Sequence, residues 1–170
     1  MRPTNAASIR SERASIVLLF PAAFLIVLLL ASIALDFGAV ELRQRELNNA
    51  AAAAANDAVT YGVAIESLRA GRDEIVLDPM LVERAIADSL ARRGATDVEI
   101  LGFCLDSSDQ RGVKVALARR TNYVLARVVP GAGSGRDLVA VERASLESDR
   151  FPSSLAQCDI PGLALHSEAR

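Results

Sequence analysis

Hydrophobic positions change their spacing along the chain, and each spacing predicts a different element. Residues 15–35 read SIVLLFPAAFLIVLLLASIAL, a run of 21 apolar or small residues without a charge. As a helix, that run rises about 30 Å, the thickness of a bilayer's hydrocarbon core. It predicts a transmembrane helix over residues 15–35, preceded by a leader of residues 1–14. Pro21 falls early in the span and is expected to loosen the helix there, which membrane helices tolerate.

Beyond Leu35 the unbroken apolar run gives way to a heptad. Leu47, Ala51, Ala54, Ala58, Tyr61, Ile65 and Leu68 recur at alternating steps of four and three, the spacing of one helix face. No proline interrupts residues 22–78. The pattern predicts a helix extension over residues 36–71 that ends near Ala70-Gly71, with Arg69 and Arg72 close to its C-terminal dipole. The middle of this seam is alanine, so a partner backbone can come close. Two partners suit it: the chain's own domain, or copies of itself and sister subunits. Both can hold, with the lower part between subunits and the upper part within one.

The distal residues shift between helical and alternating patterns. Asp78-Pro79 has the chemistry of a helix start, an N-cap followed by proline at the first helical position. Val82, Ala85, Ile86 and Leu90 form the apolar face of this second helix, and Arg92-Arg93-Gly94 closes it. Three strands are then predicted. Residues 97–105 alternate weakly; residues 112–118 place Val113, Val115 and Leu117 on one face; residues 137–146 place Leu138, Ala140, Ala144 and Leu146 on one face, interrupted by Glu142. Residues 107–112 form the turn between the first two strands. Residues 121–135, TNYVLARVVPGAGSG, read as a short helix or extended segment followed by a glycine turn. Val124, Leu125, Val128 and Val129 are expected to cover one end of the sheet; the alternative is contact with a membrane surface or a neighbouring subunit. The fold class is α+β: a long N-terminal membrane-spanning helix continues into a small domain, residues 78–147, with a second helix and a three-stranded antiparallel sheet. Residues 148–170 are expected to be an irregular tail.

Composition narrows the function. The 135 residues beyond the span suffice for one small domain. A net charge of −2, 4% aromatic residues and no tryptophan give nothing for nucleic acid to bind. His166 is the only histidine, and neither HExxH nor GxSxG nor paired CxxC motifs occur. The GAGSG at residues 131–135 lacks the Lys-Ser/Thr of a phosphate loop and reads as a turn. Asp106 and Asp109 read as solvated turn carboxylates rather than a calcium site. No catalytic residue, metal, cofactor or small-molecule substrate is expected.

Charge and cysteine bear on the compartment. Arg2, Arg10 and Arg13 precede the span, whereas Asp36 and Glu41 come first after it and Arg43 and Arg45 are balanced by Glu46. This bias places the N-terminus in the cytoplasm and the C-terminal domain outside, on a single-pass membrane protein. Outside the membrane, Cys104 and Cys158 would be joined, closing a loop of more than 50 residues. Such a loop stabilises by about 4 kcal/mol in the chain-entropy description. The alternative is two unrelated buried thiols. Ser32-Ile33-Ala34 supplies small residues that would permit cleavage after Ala34 and release of a secreted protein. A run of 21 residues is long for a signal-peptide core of about 7–15.

One family joins these features. Arg10 to Arg13 before the span, Pro21 early in it, Asp36-Phe37-Gly38 at its end, and Arg45-Glu46-Leu47-Asn48-Asn49-Ala50 leading into the alanine run stand in a recognisable order. Residues 12–61 thereby resemble the TadE/TadG-like family of Flp-type (tight adherence) pilus assembly proteins. A weaker likeness continues at residues 113–119 and 125–128. The resemblance implies a minor pseudopilin with a pilin-like fold, whose partners are the membrane and other pilin-like or Tad assembly subunits. No glycine precedes the span and no glutamate lies within it, which favours an unprocessed TadG-like or divergent TadE-like member. The expected function is a minor pilin-like structural or assembly subunit that packs by its helix. The competing readings are a signal-anchored extracytoplasmic binding domain on a helical stalk, and a secreted protein cleaved after Ala34.

Overall fold

A computed structural model describes residues 6–69, 75–107, 110–125, 134–146, 155 and 158–168. Its architecture is α+β: a long N-terminal helix, further helices and one three-stranded antiparallel sheet. Residues 1–40 with 123–134 make one compact unit, and residues 41–122 with 135–170 make a second.

Helix α1 spans Ala6–Tyr61, 56 residues, and runs through Pro21 without a break. It stops at Tyr61 rather than near Gly71, although the heptad spacing carries on. The cause is Gly62. Its N–H donates to Ala58 O at 2.8 Å and completes the last turn. A Cβ at Gly62 would stand 2.5 Å from Val82 Cγ2, so only glycine allows so close an approach. The chain then leaves the helical path: Val63 bridges Leu77, Ala64 N donates to Val76 O at 3.0 Å, and Asp78 N donates to Gly62 O at 2.8 Å. A short helix α2, Ile65–Arg69, takes up the remaining heptad positions.

Helix α3, Pro79–Arg92, begins as its sequence requires. Asp78 Oδ1 accepts the N–H of Met80 at 2.8 Å and of Leu81 at 3.3 Å, and Pro79 occupies the first turn. Its buried face is Val82, Ala85, Ile86, Ser89 and Leu90.

Strands β1 (Val98–Leu105), β2 (Gly112–Asn122) and β3 (Gly135–Ser145) pair in that order, each antiparallel to the next. The weak alternation of β1 has a structural origin. The register shifts between Ile100 and Gly102, so Val98 and Ile100 face Arg119 and Leu117, while Phe103 and Leu105 face Val115 and Val113. Parity of the core positions reverses across this bulge, and a strict period of two cannot persist. Gly102 sits there at φ 147°, with Ile160 close above it.

β2 is buried from Gly112 to Ala118 on both of its faces. Val113, Val115 and Leu117 lie beside Ala144, Glu142 and Ala140 of β3, and Arg119 on that same face reaches Glu46 of α1. The core there is completed by Leu47, Ala51, Ala54 and Ala58 of α1 and by Val82, Ile86 and Leu90 of α3. The opposite face carries Gly112, which meets Leu155, and Lys114, whose Nζ donates to Cys158 O at 2.7 Å. The tail is therefore not irregular throughout. Helix α4, Pro161–Glu168, lies against β1, where Gly162 meets the Leu101 carbonyl. Eight residues are too few to show a helical period, which is why the element was not apparent in the sequence.

Candidate membrane and packing helix

The functional candidate is α1. Over residues 19–35 its side chains are exposed almost throughout, among them Phe20, Phe24, Leu25, Leu28 and Leu35. An uncharged helical stretch this long and apolar suffices to cross a membrane. A face in water would not hold so many large apolar side chains, since contiguous apolar surface marks contact with lipid or protein.

Asp36 ends the run. It is 4% exposed, and its carboxylate accepts the backbone N–H of Val124 at 2.9 Å and of Leu125 at 3.1 Å. Leu125 N also lies 3.1 Å from the second oxygen. Val124 and Leu125 are both exposed, and their backbone is held against α1 by this carboxylate. Val128 and Val129 lie outside the described residues. In the sequence Asp36 stands out as a flanking charge and as part of Asp36-Phe37-Gly38, not as a partner of residues 124 and 125. The available signal was its position, a carboxylate immediately after hydrocarbon-facing residues, where an ion needs hydrogen-bond donors.

The seam divides into two parts. Leu47, Ala51, Ala54 and Ala58 are fully buried, together with Ala55 and Val59. These side chains are withdrawn from solvent inside the chain itself. Tyr61 and Ile65 are exposed, and the guanidinium of Arg92 lies 5.9 Å from the centroid of the Tyr61 ring. Leu68 belongs to α2, and its side chain lies outside the described residues. The first four seam positions are buried together, Tyr61 is exposed at the last residue of α1, and Ile65 and Leu68 lie beyond its end in α2. The seam is buried within the chain itself, and beside it Gln44 and Glu46 bond to Val139 and Arg119 of the sheet.

Cys104 and Cys158 are joined by a disulfide, with their Cα atoms 6.5 Å apart. Cys104 lies opposite Lys114 in the β1–β2 ladder, and Lys114 donates to the Cys158 carbonyl, so the bond and the ammonium hold the same stretch of tail. Neither Lys114, 8% exposed, nor Arg119 was singled out in the sequence. Arg119 donates to Asp97 at 2.7 Å and to Glu46 at 3.1 Å, tying α1 to the start of β1. These groups border a cleft of about 430 Å³ lined also by Leu47, Asn49 and Arg93. Within it Arg119 pairs with Glu46 and Asp97, and the residues lining it place no nucleophile beside a base.

Asp106, expected to be solvated, is 1% exposed. Its N–H donates to Gly112 O at 2.9 Å and its carbonyl accepts from Gln110 N at 3.2 Å, which draws the residue into the turn. Asp109 lies outside the described residues. Among the described residues no three His, Cys, Asp or Glu side chains cluster to hold a metal ion.

Neither the curated proteins nor the solved structures contain a significant match to the chain. Residues 14–60, all of them within α1, match the model of the Tad family, described as "Putative Flp pilus-assembly TadE/G-like", so it is along its long helix that the chain is similar to that family.

Proposed function

We propose that the protein is a minor pilin-like structural or assembly subunit of a Flp (Tad) type pilus or a related secretion system. One observation carries this reading: the family match over residues 14–60 coincides with a single continuous helix whose residues 19–35 are apolar and almost all exposed. That helix anchors the chain in the cell membrane by a single pass, with the N-terminus cytoplasmic and the disulfide-bonded domain outside. The surface left for sister subunits is the exposed part of α1, since Leu47, Ala51, Ala54 and Ala58 already pack inside the chain. Packing of α1 along other apolar helices would supply most of the association, without catalysis.

The test is genetic and chemical together. Removal of the chain from a cell that builds Flp pili should abolish surface pili, and the full chain should restore them. A photo-crosslinking residue at Leu28 or Leu42, both exposed on α1, should capture other pilus subunits. Normal piliation without the chain would overturn the reading.

A second reading is favoured by the burial of the seam within the chain. A membrane-anchored extracytoplasmic binding domain needs no intersubunit seam, only a helix to hold it. It predicts a monomer in mild detergent with no crosslinked subunit at Leu28 or Leu42.

A further inference from the structure

Val124 and Leu125 are apolar residues held exposed beside the apolar run of α1. They are 60% and 38% exposed, yet their backbone is fixed by the Asp36 carboxylate through bonds of 2.9 and 3.1 Å. Asp36 follows directly on the apolar run of α1, between Leu35 (66% exposed) and Phe37 (71% exposed). The turn therefore presents its side chains at the level where the run ends. A non-helical turn pays heavily at that level unless its backbone donors are satisfied, since lipid offers them no partner. Asp36 satisfies both donors and is itself withdrawn from solvent. The patch is continuous with the exposed apolar surface of α1, which makes lipid a better fit than a protein partner.

We propose that Val124 and Leu125 insert into the interfacial layer of the lipid bilayer, with Asp36 as the residue that positions them. The chain would then hold the membrane at two places distant in sequence, the apolar run of α1 and this turn. The proposal rests on α1 being a membrane span, and the experiment separates the two.

The chain has no tryptophan, so a single introduced one reports its own surroundings. Full-length Val124→Trp is reconstituted into phosphatidylcholine–phosphatidylglycerol vesicles whose acyl chains are brominated near the headgroup. Its fluorescence should fall at least about twofold, as expected for an aromatic ring in the interface. Leu28→Trp serves as the span control, and Met80→Trp, 79% exposed on α3, as the water control. Adding Asp36→Ala to Val124→Trp should relieve most of the quenching, while Leu28→Trp stays quenched with or without it. Quenching of Leu28→Trp but not of Val124→Trp overturns the insertion and leaves the anchor standing. A blue-shifted but unquenched Val124→Trp also overturns it, in favour of a protein neighbour. If Leu28→Trp itself is unquenched, the membrane reading fails and this inference with it. Leu125→Trp gives the same readout where Val124→Trp folds poorly.

Discussion

Asp78 and Asp36 make the same kind of bond and differ in how far their partners lie along the chain. Asp78 accepts from Met80 and Leu81, two and three residues on, and the proline beside it reinforces the assignment. That cap was legible in the sequence because all of its chemistry is local. Replacing it, Asp78→Ala, should lower the stability of the domain by about 1 kcal/mol, read from the shift in a urea unfolding curve. Asp36 accepts from residues 88 and 89 positions away, and Arg119 donates to Glu46 across 73 positions. No local pattern marks such pairs, so they emerge only when the fold brings their segments together. The burial of Asp106 has another origin: a polar turn in sequence says nothing of what covers it.

At the scale of elements, periodicity gave the type of each segment more reliably than its end or its partner. The heptad from Leu47 to Leu68 correctly implied a helix with a buried face, yet it ran past the true end at Tyr61, because Gly62 terminates the helix for a tertiary reason, the approach of Val82. The same letters could not say against what the seam packs. Ala54 tests the answer. It is fully buried in the chain's own core, so Ala54→Leu should destabilise the isolated domain by about 1–3 kcal/mol through overpacking. A thermal melt of the purified chain measures this without any partner; an unchanged midpoint would mean that the seam is free for another subunit. The sheet shows the converse case. Val113, Val115 and Leu117 alternate cleanly and were placed on one face, whereas β1 kept its secret behind the bulge at Gly102.

Across the whole molecule, the α+β architecture followed from the order of three patterns: unbroken apolar, heptad, alternating. Of the C-terminal cover only the tie from Cys158 to Cys104 was legible, since Leu155 and Ile160 are spaced too irregularly to signal burial. The disulfide is the main constraint on that cover. Cys104 and Cys158 are 54 residues apart, and the double variant Cys104→Ala/Cys158→Ala should lose about 4 kcal/mol, read from chemical unfolding against the oxidised parent. A loss far below that would mean that the tail is held mainly by Lys114 and by the packing of Leu155 and Ile160.

β2 is paired along both edges and covered on both faces, by α1 on one side and the C-terminal residues on the other. Its amide protons have no route to water short of dismantling one of those layers. In deuterium oxide the amides of residues 113–118 should therefore be the last in the domain to exchange, at rates set by global unfolding, while β1 and β3 exchange through smaller openings. The central strand is then the kinetic keystone of the domain, and its exchange rate is a direct clock for how often the whole domain comes apart.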